Sequence, residues 1–473
     1  MPLFDTRRAL TREKRSGALS HYHGTLVSIL EDSSGTEIPQ RVRTLSQSSP
    51  GEVLYALNAV SGITGSAAVI HGGIGCSASS FALGKNSSYN FYTTNLNESD
   101  TILGGDEKLR TAVVRAYKEN HPSVIFIIGT PINAINNDDV DSVILELEDE
   151  LGCKIIYIDV NGFRTKNALS GYDQVYHSFL KYLVEPVQDA NTRFINLISL
   201  SENPENVFVI AELLKRLDIP CNIIPHFSGI RGIQKASGAL FSISLDDGEN
   251  EYFLQGLEEN FSVPWIKTNP PIGSAQTSDF IRKIAQVFGS GEKAEKLIAE
   301  EEKGIAASIG NKPLGGKKVF LNMDLHRAVS FAALVEEFGG EVLGLAVPHL
   351  DKGNEFLLKE LSGLPRTLPF IIAKGQQFEL ANALSKHPAD FYIGDSDSSA
   401  TAARFGAQAL SLDSISYYGY SGLEKLSSEL QKISAAGIFP VGISPTEDGK
   451  TASLYSESWL KRSGNWYVKV EVK

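Results

Sequence analysis

Gly62–Cys76 reads GITGSAAVIHGGIGC. The apolar run Ala67–Ile70 has the length and composition of a strand buried on both faces. It ends in His71-Gly72-Gly73-Ile74-Gly75-Cys76, so a thiol is delivered at a strand's C-terminal end by a loop containing three glycines. Glycine lets the backbone approach a bulky group closely, and in open α/β sheets ligands bind beyond the carboxyl ends of the strands. The same loop also reads as a tight turn around a small buried cysteine, since an unpaired cysteine packs as a small hydrophobe. Both readings require the strand.

Outward from this stretch the pattern repeats: a short apolar run, a turn, then a stretch with apolar residues at helical spacing. That is the signature of βαβ units. Strands are expected at Val124–Ile128, Ile155–Val160, Phe194–Leu200, Asn222–Ile224, Ala239–Leu245, Val319–Met323, Glu341–Val347, Phe370–Ala373, Phe391–Ile393 and Ala409–Leu412. Val207–Leu217, Ala328–Phe338 and Leu423–Ile433 supply crossover helices. Glu185–Arg193 is polar with a proline and Gly310–Lys318 is rich in Gly, Pro and Lys, which divides the chain into α/β units over 1–188, 189–312 and 313–473. The first 45 or so residues are irregular and rich in Arg, Ser and Thr, and read either as a tail that wraps a partner or as a loosely ordered terminus.

A second informative stretch is Val124–Val140, VIFIIGTPINAINNDDV. A strand ends at Gly129-Thr130-Pro131, and Asn137-Asp138-Asp139 precede a helical pattern. Asp138 or Asp139 is placed to cap that helix, and a paired-carboxylate acid/base site is the alternative.

The 473 residues carry 44 basic and 56 acidic side chains, a formal charge of -12 without a long basic block, which argues against nucleic-acid or anionic-membrane partners. No apolar h-region follows the basic start and no run of about 18 apolar residues occurs, so a cytoplasmic protein is expected. Cys76, Cys153 and Cys221 are the three cysteines and none forms a CxxC pair. A disulfide framework is excluded, and any iron–sulfur centre has to borrow thiolates from another chain. Cys153 precedes an apolar strand and Cys221 follows Ile219-Pro220, so both read as core residues, and His226, His326 and His349 stand apart without metal-ligand spacing. No G-x-x-x-x-G-K-[ST] occurs, so nucleotide chemistry belongs to another protein.

Taken together, HGGIGC, then Asn90–Leu109 (NFYTTNLNESDTILGGDEKL), then TPINAINNDDV followed by an Ile-Tyr-Ile-Asp-Val strand and Asn161-Gly162-Phe163, resemble the nitrogenase component 1 family. Phe261–Trp265 (FSVPW), His387–Gly394 (HPADFYIG) and Tyr418–Gly422 (YGYSG) resemble its later blocks, so the likeness spans about residues 40 to 425. The resemblance implies three Rossmann-like α/β domains with parallel sheets around a central cleft. It also implies a subunit of a nitrogenase-like oxidoreductase in a heterodimer or heterotetramer, with Cys76 ligating an iron–sulfur cluster of the 4Fe–4S type shared with a homologous component 1 subunit. An ATP-dependent iron protein would deliver the electrons, and a further metallocofactor or a tetrapyrrole substrate would belong to the complex.

The departures from the family are as informative. Leu45–Pro50 and Thr130-Pro131 stand where three-thiolate members carry their other cluster cysteines. Asp246 stands where the nitrogenase α subunit has its cofactor cysteine, and no histidine follows Tyr392. One cluster thiolate without cofactor ligands resembles the one-cysteine subunit of the cofactor-scaffold complex. Two other functions stay open at this point: a scaffold for metallocofactor assembly, and a cluster-free Rossmann-type binding protein.

Overall fold

The computed structural model describes residues 21–32, 51–78, 89, 91–163, 167–187, 193–201, 203–310, 312–351, 354, 356–373, 376–413 and 415–436. Three principal sheets are present among them. In the first, Phe91–Thr93, Ser66–Ile70, Val124–Ile128 and Lys154–Ile158 lie side by side, all parallel. Side chains alternate across a strand, so each apolar run feeds two cores. Ala67, Val69, Ile125 and Ile127 meet Leu109 and Val113 of helix Asp106–Asn120 and Val143 and Leu147 of helix Val140–Leu151. Ala68, Ile70, Phe126 and Ile128 meet helices Glu52–Ser61 and Ser170–Tyr182 on the opposite face.

The second sheet has the order Trp265–Ile266, Ser242–Ser244, Ile195–Ser199, Cys221–Pro225, again parallel. The third has six strands: His21–Thr25, Pro369–Ala373, Glu341–Val347, Lys318–Asn322, Phe391–Gly394 and Gln408–Ser411. All ten expected strands form, with ends shifted by up to three residues, and the three crossover helices are Pro204–Arg216, Leu325–Glu337 and Gly419–Ala436. One continuous apolar core joins the second and third sheets, with Ile195, Leu197 and Ile243 packed in the same cluster as Val319, Leu321 and Leu345.

The N-terminal region departs from expectation. His21–Thr25 is an edge strand that pairs antiparallel with Pro369–Ala373, His21 opposite Ala373 and Thr25 opposite Pro369. It is the one antiparallel member of the third sheet. Helix Leu26–Asp32 follows, burying Leu26 and Ile29 in the core of that sheet, with the Leu26 and Val27 amides donating to Leu368 and Arg366 carbonyls at 2.8 and 2.9 Å. Residues 21–32 are therefore neither a loose end nor a tail reserved for a partner. The strand signal, HYHGT, is short and partly polar, and its hydrogen-bonding partner lies more than three hundred residues away, where no local pattern reveals it. The remainder of the first 45 residues lies outside the described residues, as does part of Glu185–Arg193. No helix among the described residues is long and apolar enough to cross a membrane.

Candidate functional site

The strand Ser66–Ile70 runs directly into the loop singled out in the sequence. His71, Gly72 and Gly73 are buried, Ile74 and Gly75 are exposed, and Cys76 is half-buried in the short helix Ile74–Ala78. Gly72 is required by close approach, because a Cβ there would collide with the Thr130 side chain. The Thr130 hydroxyl donates to the His71 carbonyl at 2.8 Å, which ties the cysteine loop to the end of the neighbouring strand.

His71 is the hinge of the arrangement. Its Nε2 lies 3.1 Å from Asp138 Oδ2 and its Nδ1 lies 3.2 Å from Thr94 Oγ1. The Gly72 amide donates to the same Thr94 oxygen at 2.9 Å, and the Gly105 amide donates to Asp138 Oδ1 at 3.3 Å. Burial pushes the His71 imidazole below its ordinary pKa, against the pull of Asp138. A neutral ring with its proton on Nε2 satisfies the set: it donates to Asp138 and accepts the Thr94 hydroxyl proton. Gly105 is also fixed by packing, since a Cβ there would lie 2.9 Å from His71 Cε1.

The two adjacent carboxylates have separate tasks. Asp139 caps helix Val140–Leu151, accepting the Ser142 amide at 3.2 Å and its hydroxyl at 2.7 Å. Asp138 turns inward to His71. They are not a paired acid/base site, because one carboxylate is engaged by a helix end and the other by an imidazole.

Cys153 and Cys221 differ from Cys76. Cys153 Sγ donates to the Pro122 carbonyl at 3.2 Å, and Cys221 Sγ to the Ile219 carbonyl at 3.5 Å. Burial pushes their thiols up, to about 11 and about 12, so both are protonated core residues, as expected.

The segments around Cys76 carry an exposed apolar face. Ile102 and Leu103 end helix Glu98–Leu103, which packs on helix Pro131–Asn136 bearing Ile135, and Phe163 follows Gly162, which lies beside Pro131. Leu103 is 85% exposed and Ile135 72%, and Ile74 and Phe163 are open as well. An apolar group of this size around a half-buried thiol is a contact surface in search of a cover.

A second feature lies at the C-terminal ends of the third sheet's strands. A cavity of about 280 Å³ is bounded there by Asn322, Ala346, Ala373, Gly394 and Leu412, by Asp246 just beyond the second sheet, and by Tyr55 from helix Glu52–Ser61. It is the central cleft, and it collects residues from all three sheet regions. Arg327 is paired with Asp324, lies 3.6 Å from Asp246 Oδ2 and 3.7 Å from Glu249 Oε1, and donates to the Tyr417 hydroxyl at 3.3 Å. Burial opposes ionisation of Asp324, but Arg327 prevails and holds that carboxyl low.

Three polar residues line the cleft with atoms that lack a hydrogen-bond partner among the described residues. His326 and His349 are 3% and 5% exposed, and each has an Nδ1 with no hydrogen-bond partner among the described residues. His349 Nε2 lies 3.5 Å from Asp351 Oδ2, and burial lowers His326. The Gln376 side chain, 3% exposed, leaves both amide atoms without a partner. The two histidines are thus neither satisfied nor solvent-facing. His326 opens a helix after one strand and His349 follows another, and only the sheet brings them to one wall. His226, by contrast, is a core residue seated between the carbonyls of Asn58 and Ser201 at 2.9 and 3.1 Å.

Residues 53–433 match the nitrogenase component 1 type oxidoreductase family. The chain belongs to that family. It is 24% identical over 345 residues to the nitrogenase iron-molybdenum cofactor biosynthesis protein NifE of Methanococcus maripaludis, covering 70% of this chain and 71% of the relative. The NifE of Nostoc sp. is 26% identical, with 78% and 79% covered, and the nitrogenase molybdenum-iron protein alpha chain of Methanosarcina barkeri 28%, with 60% and 57%. Among solved structures, a nitrogenase Cp1 chain at pH 6.5 superposes with a TM-score of 0.75 at 19% identity, covering 88% of this chain and 98% of that one. The shared architecture is the multi-sheet α/β fold described above.

The family's two kinds of metal group fare differently against these residues. A cluster at Cys76 fits, because the cysteine is half-buried on a glycine loop at a strand end, with exposed apolar side chains on the neighbouring segments that a ligand-sharing subunit could cover. A cofactor held in the cleft by cysteine and histidine does not fit. Asp246 is engaged as the N-cap of helix Asp247–Phe261, accepting the Gly248 amide at 3.0 Å, and it faces Arg327. No group of three His, Cys, Asp or Glu among the described residues converges to hold a metal.

Proposed function

We propose that the chain is the single-thiolate subunit of a nitrogenase-like, iron–sulfur-dependent reductase complex. In this reading Cys76 is the one ligand the chain gives to a cluster, of the 4Fe–4S type, shared with a homologous subunit that supplies the other cysteines. The units over 1–188, 189–312 and 313–473 are the domains of the subunit, except that residues 21–32 pair and pack with the third, and an ATP-dependent iron protein is the electron donor. The observation that carries this reading is the half-buried Cys76 on its glycine loop, at the end of a parallel strand, with exposed Ile74 beside it in the loop and exposed Ile102, Leu103, Ile135 and Phe163 on the segments beyond the same sheet.

When bound, such a cluster supplies one-electron chemistry. The chain's own residues hold its place. Cys76 presents its sulfur from the first turn beyond the loop, and the His71–Asp138–Thr94 network fixes the loop against two neighbouring segments. The exposed apolar side chains keep water from the sulfur once a partner covers them.

Iron analysis and electron paramagnetic resonance of protein purified without oxygen, alone and with its homologous partner, test the proposal. Iron retained by the pair and lost in Cys76→Ala is expected. Equal iron in wild type and Cys76→Ala would make the cysteine a packing residue. The likeness to cofactor biosynthesis proteins favours a second reading, a scaffold that assembles a metallocofactor. Transfer of a cluster from the loaded complex to an apo-acceptor supports the scaffold, and repeated turnover of a small molecule supports the reductase.

A further inference from the structure

The central cleft is built for a charge opposite to its own. Among the described residues its lining holds six carboxylates, Asp246, Glu249, Asp324, Asp395, Asp397 and Asp413, against one guanidinium, Arg327, and no lysine. That guanidinium is already shared among Asp246, Glu249 and Asp324. The other three carboxylates stand exposed at the ends of the last two strands of the sheet: Asp395 caps helix Ser396–Arg404 through the Ser398 amide at 2.7 Å, Asp413 accepts the Ser396 amide at 3.0 Å, Asp397 lies in that helix's first turn, and no basic side chain among the described lining residues pairs with them. Partial burial, and then the like charges of Asp397 and Asp413, push the Asp395 carboxyl up.

Behind this acidic mouth the wall carries the unpartnered imidazole nitrogens of His326 and His349 and the unpartnered amide of Gln376. Buried polar atoms are almost always paired, by protein, water or ligand, because leaving one unpaired costs about 1–3 kcal/mol. His349 has a carboxylate at its Nε2, which favours the proton there and leaves the Nδ1 lone pair to accept. A neutral His326 adds a further nitrogen and Gln376 a carbonyl.

We infer that the cleft binds a small organic cation of the amine or amidine class, with N–H donors that reach His326, His349 and Gln376 while its charge is balanced by Asp395, Asp397 and Asp413. A bare metal ion is disfavoured because no three His, Cys, Asp or Glu side chains among the described residues converge, and a cavity of about 280 Å³ leaves room for a molecule that spans the wall and the mouth. An anionic ligand meets a described lining in which carboxylates outnumber the one guanidinium. The inference is independent of any cluster at Cys76.

Calorimetry of the full chain tests it, with agmatine as the cationic probe and citrate as the anionic one. Saturable one-to-one agmatine binding is expected, with no citrate binding. Gln376→Leu and His349→Leu should each weaken it about tenfold or more, the loss expected for a hydrogen bond to a charged group. The double variant Asp397→Asn/Asp413→Asn, at exposed positions and keeping an acceptor oxygen for the Ser396 amide, should weaken it about threefold and flatten its salt dependence, with circular dichroism checking that the fold is kept. Cys76→Ala should leave it unchanged. Citrate binding as tight as agmatine's, absence of agmatine binding at millimolar concentration, or agmatine affinity unaltered in both Gln376→Leu and the double variant would overturn the inference.

Discussion

The first and third sheets present the same element to solvent, the C-terminal ends of parallel strands, and dress it in opposite ways. Beyond the first sheet the loops are glycine-rich, the His71, Thr94 and Asp138 side chains are paired with one another, and exposed apolar side chains lie on the segments beside the Cys76 loop. Beyond the third, the surface is acidic and the inner wall keeps polar atoms without partners. A satisfied interior under an apolar exterior is a surface waiting for a protein, because only a large dry cover removes that area from water. An unsatisfied interior under a charged mouth is a pocket waiting for a small molecule.

The comparison breaks most visibly at the apolar face. Replacing Leu103 and Ile135 together by Asp should weaken association with the homologous subunit by on the order of a thousandfold, since apolar hot-spot contacts cost about 2 kcal/mol or more each when lost. The thermal midpoint of the isolated chain should hardly move, as both side chains are exposed. Sedimentation of the mixture and differential scanning calorimetry of the chain alone check the two halves. Unchanged association would remove the face as an interface.

Within the first region, Gly72→Ala forces a methyl group into Thr130 and should destabilise by about 1–3 kcal/mol, the usual range for overpacking. Urea denaturation measures it, and the same change at exposed Gly75, which has open space around it, should be several times milder.

Asp138→Asn and Asp139→Asn separate the inward carboxylate from the capping one. The first loses a charged acceptor to His71 and should cost about 1.5–3 kcal/mol. The second keeps a good cap and should cost a few tenths. Equal losses in urea melts would show that the sequence pair acts as one unit after all.

The smallest effect is graded with pH. His71, His226 and His326 are all held below the ordinary value of 6.5, chiefly by burial. The unfolded chain therefore binds their protons first, and stability present above that pH is lost as pH falls below it, by up to about 1.4 kcal/mol per pH unit for each histidine. Unfolding free energies at pH 7.5 and 5.5 should show this slope, and His71→Gln should reduce it by one proton's share. An unaltered slope in that variant would place the titration elsewhere.

The sequence by itself determined the strands, because buried parallel strands are continuous apolar runs, and it placed Cys76 on a glycine loop at a strand end. The HGGIGC loop, the segment ending in Gly104-Gly105, the Thr130–Asp138 loop and Asn161–Phe163 are four local motifs, and adjacent parallel strands bring them to one edge without further instruction. Periodicity placed Val207–Leu217 and its two counterparts in helices for the same reason: a repeat of 3.6 is a local property. Tertiary structure alone decided the rest. His21–Thr25 finds its partner across more than three hundred residues. Asp138 and Asp139 are indistinguishable in the chain, and only the fold turns one toward a histidine and the other toward a helix end. His326, His349 and Gln376 follow three different strands and carry no shared spacing; they form a wall because strand order in a sheet is set by long-range hydrogen bonding and packing, which leave no periodic mark on the sequence.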